Sequence, residues 1–277
     1  MAASRSTGKC CKPVTLPPID WPQPWYDAVR PAHARLPPHD AAFIDAFNAG
    51  AANLVNASGQ PIRFVPQANL PEGRAYEEFI GATGQVPTRA NLHDYFNGLV
   101  WQTFPLIKRQ LNALQAAQIA VAGVGKSRGA ARDGATIFDE NAALLVVIDD
   151  DEGRALVDAL QAHRWHAGLF ERRAMFGPQA QVWLFGHALM EKLVAPRLAM
   201  TAHTRVVYAD AAFFTLAFDA RRAWIDQHVS AALATETLST SSFTPLQVLG
   251  VPGWWPQQDA AFYANTAVFR PKRLPKD

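Results

Sequence analysis

The stretch NLHDYFNGLVWQTFPLIKRQLN, residues 91–112, combines the apolar content of a core helix with an unusual number of polar residues. At about 100° per residue, one face of the predicted helix is leucine, phenylalanine, isoleucine and valine. The other face is a polar stripe, which comprises His93, Asp94, Asn97, Lys108 and Asn112. The pattern predicts a helix with one face in the core and polar groups directed at a neighbouring surface.

Pro105 interrupts this stretch, because proline removes a helix hydrogen bond and clashes with the preceding turn. We expect the helix to kink or split there. Within each half the grouping survives, since His93 and Asn97 are four residues apart, as are Lys108 and Asn112. The stripe is explained either by capping and tertiary hydrogen bonds that fix the helix or by a cleft that binds a ligand.

A second polar segment is RGAARDGATIFDEN, residues 128–141, followed by AALLVVID. The two β-branched runs around DEN predict a β-hairpin with Asp139 and Glu140 in its turn. Arg128 and Arg132 could bind a phosphate or carboxylate, and the turn carboxylates could hold Mg²⁺ or Mn²⁺. The alternative is a salt-bridged loop with a solvated turn.

The third candidate is WLFGHALMEKL, residues 183–193, in which Gly186 turns a predicted strand directly into a helix. His187 lies in the first turn of that helix, and Glu191 follows one turn later. The two could form a metal pair or a base with its orienting carboxylate. The segment lacks the HExxH motif of zinc proteases, and a histidine packed at a strand–helix corner is the alternative.

The fragment AVAGVGKS, residues 120–127, ends like a phosphate-binding loop. Ala120 stands where the first glycine of that motif belongs, and the following residues are predicted to run into a strand, not a helix. The sequence therefore argues against a nucleotide-binding loop.

The rest of the chain indicates a single folded unit. Residues 1–38 are proline-rich and aperiodic, which predicts an irregular N-terminal arm lying along the surface through Trp21, Trp25 and Tyr26. From residue 39 to 277, helix and strand patterns mix without regular alternation or repeats. We expect one compact α+β domain, or an irregular mixed α/β domain, with a mixed sheet and several helices.

The charge and hydropathy patterns limit the kinds of partner that we expect the chain to bind. The 26 basic and 24 acidic residues are interspersed, so the charge pattern does not indicate a nucleic-acid partner. No apolar run reaches the roughly 18 residues needed to cross a membrane, and the N-terminal segment lacks the apolar core of a secretory signal. We expect a cytoplasmic protein.

Cys10 and Cys11 are adjacent, which indicates two thiols in a loose segment and not a disulfide or a zinc site.

Several segments together resemble a known family. They are GQVPTRANLHDYFNGLVWQTFPLIKRQLN, RDGATIFDENAALLV, FGHALMEKL, LGVPGWWP and FYANTAVFRP, in this order. The chain is similar over about residues 60 to 271 to the bacterial family called domain of unknown function 3025. The resemblance implies one folded unit with these segments at its core, and it carries over no activity, cofactor or catalytic residue.

The leading hypothesis is a metal-assisted hydrolase or transferase that acts on an anionic, phosphorylated small molecule or a nucleic-acid fragment. The candidate catalytic residues are His93, Asp94, Asp133 and His187. The candidate binding residues are Arg128, Arg132, Lys108 and Asn97. The candidate metal ligands are Asp139, Glu140 and Glu191. The hypothesis requires His93, Asp133 and His187 to converge.

Two alternatives belong to other functional classes. The chain could bind a small anionic metabolite without a metal, in which case its carboxylates would be salt-bridged to arginines. It could also be a scaffold protein, with Trp21, Trp25, Trp254 and Trp255 forming an exposed apolar surface, and burial of these rings would count against that function.

Overall fold

The chain has an α+β fold, as the sequence predicts. The computed structural model describes residues 16–36, 43–122 and 129–272. A small sheet pairs two parallel strands, β1 (Arg63–Pro66) and β2 (Gln85–Thr88). The larger sheet has the order β4-β3-β5-β6. Its strands are β3 (Ala142–Ile148), β4 (Ala180–Leu184), β5 (Thr201–Ala209) and β6 (Thr244–Gln247).

Strand β3 is the centre of the larger sheet. It runs parallel to β5 and antiparallel to β4, and Ala142 to Val147 are all buried. The continuous apolar run AALLVV therefore reflects a strand covered on both faces, where alternation of polar and apolar residues is absent. This mixed sheet confirms the predicted fold class.

Helices cover the sheets and join them. Their bounds are α1 (Arg30–Ala34), α2 (Phe43–Gly50), α3 (Tyr76–Thr83), α4 (Leu92–Thr103), α5 (Pro105–Ala122), α6 (Ala130–Asn141), α7 (Asp151–Gln161), α8 (His187–Lys192), α9 (Phe218–Thr235) and α10 (Ala260–Ala264). Short 3₁₀ and π turns lie between them. Helix α10 lies in the C-terminal segment. In the described residues, no helix is both long and apolar enough to cross a membrane.

The stretch at residues 91–112 lies in two helices, α4 and α5, which meet at Pro105 as predicted. Phe104 leaves the helical region with φ −128° and ψ 61°, because a residue before proline disfavours the α conformation. The free amides of Leu106 and Ile107 donate to the carboxylate of Asp226 on α9, at 3.1 and 2.9 Å. A buried carboxylate thus caps α5 from another helix.

The predicted hairpin around Asp139 and Glu140 is wrong. The segment is α6, which passes at Ala142 directly into β3. Buried positions at Gly134, Ala135, Phe138 and Asp139 follow the helical period, which outweighs the turn preference of DEN. The turn-forming residues end a helix instead of reversing a strand.

One of the two reasons against a nucleotide-binding loop at residues 120–127 therefore no longer holds. A helix does follow it, since α6 begins at Ala130, although the sequence predicts a strand. A phosphate-binding loop also requires a preceding strand, and here the helix α5 precedes it. Residues 123–128, including Arg128, lie outside the described part of the chain.

The described part of the N-terminal arm packs into the core. Trp25, Tyr26 and Val29 are almost fully buried, and the Tyr26 hydroxyl donates to the carbonyl of Met190 at 3.2 Å. The arm therefore joins the main hydrophobic cluster and does not only lie along its surface. Cys10 and Cys11 lie outside the described residues.

Candidate metal centre

Sheet topology brings two of the predicted polar segments together. Strands β3 and β4 are antiparallel, with Ala143 opposite Leu184. The residues just before β3 and just after β4 must therefore lie at the same edge of the sheet. Glu140 is the next-to-last residue of α6 at this edge, and His187 begins α8 there.

Gly186 permits the close approach of these two segments. Its amide donates to the carbonyl of Ala142 at 2.8 Å. A Cβ at this position would lie 2.5 Å from the Ala142 nitrogen and 2.6 Å from the Asn141 nitrogen, which is closer than real contacts allow. The glycine is required because two backbones meet here, and its position sets where α8 begins.

The stretch at residues 91–112 supplies a second histidine. Helix α4 packs against α8, and Asn91 caps α4 by accepting from the Asp94 amide at 2.8 Å. His93 thus occupies the first turn of α4, as His187 does in α8. Their Nε2 atoms are 3.1 Å apart, although 94 positions separate them in the sequence.

Glu140 completes a three-residue cluster. Its Oε1 lies 3.9 Å from His93 Nε2, and its Oε2 lies 3.6 Å from His187 Nε2. The candidate ligand atoms of the three residues all lie within 4.8 Å of one another. The His187 side chain is 4% exposed, whereas those of His93 and Glu140 are 29% and 32% exposed, so the cluster opens to solvent on one side.

Each imidazole faces a further carboxylate with its other nitrogen. His93 Nδ1 lies 3.2 Å from Glu191 Oε2, and His187 Nδ1 lies 3.9 Å from Asp139 Oδ1. Carboxylates in this place fix the orientation and tautomer of histidines that bind metals. Both histidines direct Nε2 at the cluster. His93 Nδ1 is within hydrogen-bond distance of Glu191, whereas His187 Nδ1 has no hydrogen-bond partner among the described residues.

The hydrogen positions on the two rings depend on each other. If both neutral rings carry their hydrogen on Nδ1, towards Glu191 and Asp139, two Nε2 lone pairs face each other at 3.1 Å. Moving one hydrogen to Nε2 turns a bare Nδ1 lone pair towards a carboxylate. A hydrogen on His187 Nε2 can be donated to His93 Nε2, and an added proton or a metal ion between the rings would also engage both Nε2 lone pairs. Burial lowers the pKa of His187 to about 3, so this ring is neutral near pH 7.

A buried ion pair lies beneath His187. Lys108 Nζ donates to Asp139 Oδ1 at 2.6 Å and to Asn97 Oδ1 at 2.8 Å, and the Asn97 amide in turn donates to the Tyr76 hydroxyl at 3.1 Å. Burial alone would raise the pKa of Asp139, but Lys108 and His187 together hold it below its usual value. Asp139 is therefore a carboxylate that supports His187 and not a free metal ligand.

Glu77 extends this network, and it is not among the site residues predicted from the sequence. Its Oε2 accepts from Asn112 Nδ2 at 2.7 Å. Burial raises the pKa of the Glu77 carboxyl to about 7, the Asp139 carboxylate adds to the increase, and Lys108 opposes it. The only sequence signal was an acidic residue in the first turn of α3, which the helix dipole also explains.

Comparison with known proteins places the chain in a family. Residues 62–273 match the family model described as "Protein of unknown function (DUF3025)". The chain belongs to this family. Searches of curated proteins and of solved structures returned no match. The match confirms the resemblance seen in the sequence, and the family segment includes His93, Glu140, His187 and Glu191.

Other predicted residues of the family segment do not join the cluster. Asp94 forms a two-point ion pair with Arg89, at 2.9 and 3.0 Å, and so stabilises the start of α4. Asp133 is exposed in the first turn of α6 and Arg132 is beside it, whereas Glu140 is near the other end of that helix. At 1.5 Å per residue, six residues separate Asp133 from Asp139 by about 9 Å. The predicted convergence of Asp133 with the histidines is wrong.

Proposed function

We propose that the chain is a metal-dependent hydrolase or transferase whose ion is held by His93, Glu140 and His187. The observation that carries the proposal is the shared orientation of both imidazoles. Each directs Nε2 at the cluster and Nδ1 at a carboxylate, Glu191 for one and Asp139 for the other. A carboxylate hydrogen-bonded to Nδ1, as Glu191 is to His93, is the usual support of a histidine that binds a metal through Nε2.

The cluster dimensions fit a transition metal. Zinc binds histidine nitrogen at about 2.0–2.1 Å, so an N–N separation near 3.1 Å corresponds to a ligand angle of about 100°. The Glu140 oxygens lie 3.9 Å from His93 Nε2 and 3.6 Å from His187 Nε2, so the Glu140 side chain must move closer to bind the same ion. Two nitrogens and one carboxylate favour Zn²⁺, Fe²⁺ or Mn²⁺ over Mg²⁺, which prefers oxygen ligands. Of the two ions considered from the sequence, Mn²⁺ fits this donor set better.

Solvent access supports catalysis over a purely structural ion. Structural zinc sites use four protein ligands, whereas catalytic sites keep a position open. Three ligands converge here, and two of them are about one-third exposed. When bound, such an ion activates water and polarises a phosphoryl or carbonyl oxygen.

Two exposed cations near the cluster support an anionic substrate. Lys192 donates to the side chain of Asn141 at 3.1 Å and lowers the pKa of Glu140, although burial raises that pKa overall. Arg89, paired with Asp94, lies close enough to Glu191 for that carboxylate to raise its pKa further. These residues replace Lys108 and Arg132 in the proposal, because Asp139 neutralises Lys108 and Arg132 lies in the first turn of α6.

The alternatives receive less support. A metal-free anion site requires carboxylates paired with arginines, but in the described residues Glu140 and Glu191 face histidines. A scaffold surface of tryptophans is disfavoured because Trp25 is 4% exposed and Trp21, Trp254 and Trp255 also pack partly against the core.

The proposal is tested by activity after reconstitution. Chelator-treated protein is loaded with Zn²⁺, Mn²⁺, Mg²⁺ or Ca²⁺ and assayed with p-nitrophenyl phosphate, bis-p-nitrophenyl phosphate and p-nitrophenyl acetate. We expect hydrolysis with Zn²⁺ or Mn²⁺ that is lost in Glu140→Gln and kept in the matched control Asp133→Asn. Absence of metal-dependent turnover on every substrate, or equal turnover in Glu140→Gln, would contradict the proposal.

A further inference from the structure

A cavity of about 340 Å³ lies away from the histidine cluster, between β4, the start of α9, the N-terminal segment and the C-terminal segment. Its volume falls within the range of small-molecule sites. His93, Glu140 and His187 are not among its lining residues, so any ligand here would not touch the candidate metal centre.

Aromatic rings form much of the cavity wall. Phe176, Trp183, Phe218 and Trp254 all line it. Trp183 and Phe218 stack with ring centroids 4.9 Å apart and an interplanar angle of 29°. Walls of this kind favour a flat aromatic molecule, because stacked and edge-on rings attract beyond the area they bury.

The wall that carries Trp254 is held in place by hydrogen bonds. The Trp254 amide donates to the carbonyl of Val251 at 2.9 Å, and the Gln258 side chain donates to the carbonyls of Leu249 and Val251, both at 2.9 Å. The Trp183 indole nitrogen donates to Gln181 at 3.2 Å. A cavity with fixed walls binds with less loss of conformational freedom than one that must order on binding.

Arg221 supplies one charge to this cavity. Among the described residues its side chain has no hydrogen bond and no ion pair, and its Nε is buried without a partner. The neighbouring Arg222 is satisfied, since it donates to the carbonyl of Thr103 at 2.7 Å. Asp27 also lines the cavity, but Arg30 Nη2 contacts its carboxylate at 2.5 Å. Arg221 is therefore a cation without a counter-charge, which is costly for a partly desolvated group.

We propose that this cavity binds a small aromatic carboxylate, with its ring packed against the stacked pair Trp183 and Phe218 and beside Trp254, and its carboxylate on Arg221. A planar guanidinium matches a carboxylate with two parallel hydrogen bonds, and that pairing supplies the counter-charge that Arg221 lacks. The site does not depend on the metal centre.

The test is calorimetric titration of the full chain with 2-naphthoate, in the presence and absence of chelator. The matched probes are 2-naphthamide, which keeps the ring without the charge, and cyclohexanecarboxylate, which keeps the charge without the aromatic ring. We expect 2-naphthoate to bind at least about tenfold more tightly than either, because 2-naphthamide lacks the charge-assisted hydrogen bonds to Arg221 and cyclohexanecarboxylate lacks the aromatic stacking. Chelator leaves this affinity unchanged.

Variants assign the binding to this cavity. Arg221→Gln and Trp254→Leu are expected to weaken 2-naphthoate binding at least about tenfold. The controls Arg63→Gln, on the exposed face of β1, and Trp255→Leu, next to the cavity residue, keep the wild-type affinity. Failure of 2-naphthoate to bind, equal binding of 2-naphthamide, or unchanged binding in a folded Arg221→Gln protein would overturn the inference. None of these outcomes bears on the metal proposal.

Discussion

Lys108 and Asp139 form an ion pair of 2.6 Å whose side chains are only 5% and 9% exposed. The pair connects α5 to the end of α6, where Asp139 also faces His187. Removing one member leaves the other as a buried charge. We expect Lys108→Met and Asp139→Leu each to lower the free energy of unfolding by about 3–5 kcal/mol.

The double variant should cost much less than the sum of the two single variants, because no charge is then left uncompensated. Urea unfolding of all four proteins measures the coupling. Additive losses would show that Lys108 and Asp139 do not depend on each other.

Glu191 orients His93 without being one of the three proposed ligands. Glu191→Gln should weaken metal binding by about tenfold or more, because loss of a carboxylate behind a ligand histidine lowers its basicity and its order. The matched control is Glu171→Gln, since Glu171 contacts exposed His166 Nδ1 at the same 3.2 Å but lies outside the cluster. Metal titrations measure the affinity of both variants. Equal affinities would show that Glu191 does not support the metal site.

Gly186 places the start of α8 against the end of α6. Gly186→Ala should lower the free energy of unfolding by about 1–3 kcal/mol and should also weaken metal binding, because the added Cβ pushes His187 away from Glu140. Gly250→Ala is the control, since its Cβ would crowd Phe269, which is not part of the cluster. A destabilised Gly186→Ala protein with normal metal affinity would contradict this role.

Asp226 makes stability depend on pH. Burial raises its pKa from 3.8 to about 6, although the amides of Ile107 and Leu106 oppose the increase. The folded state therefore binds this proton more tightly than the unfolded state, and the contribution grows as pH falls from about 6 towards 4. Relative to Asp226→Asn, the wild type should gain about 2 kcal/mol of unfolding free energy between pH 6.5 and 4.5. Parallel pH curves for the two proteins would refute the assignment.

The sequence predicts the fold class and the break at Pro105, because these depend on local pattern and on proline chemistry. It also names both histidines and both exposed carboxylates of the cluster. Their convergence could not be predicted, since His93 and Glu191 are 98 positions apart and meet only because α4 packs on α8.

The errors in the sequence analysis have one physical origin. The turn preference of residues 139–141 predicts a hairpin, but burial of Ala135 and Phe138 in the core makes the segment helical. In a helix, Asp133 and Asp139 point about 120° apart and also differ in height, so they cannot act together. Asp226 and Glu77 were missed because their partners come from other helices and leave no local pattern.

The most direct test of the central claim is calorimetric titration of chelator-treated protein with Zn²⁺ and Mn²⁺. We predict one ion per chain for wild type and for the control Asp133→Asn. Binding should be lost in His93→Ala and in Glu140→Gln, whose replaced side chains are exposed enough for the fold to persist. A saturating ion should also raise the free energy of unfolding by about 2.7 kcal/mol at 100 times its Kd. Absence of binding to wild type, or equal binding to all four proteins, would contradict the assignment of His93, Glu140 and His187 as a metal centre.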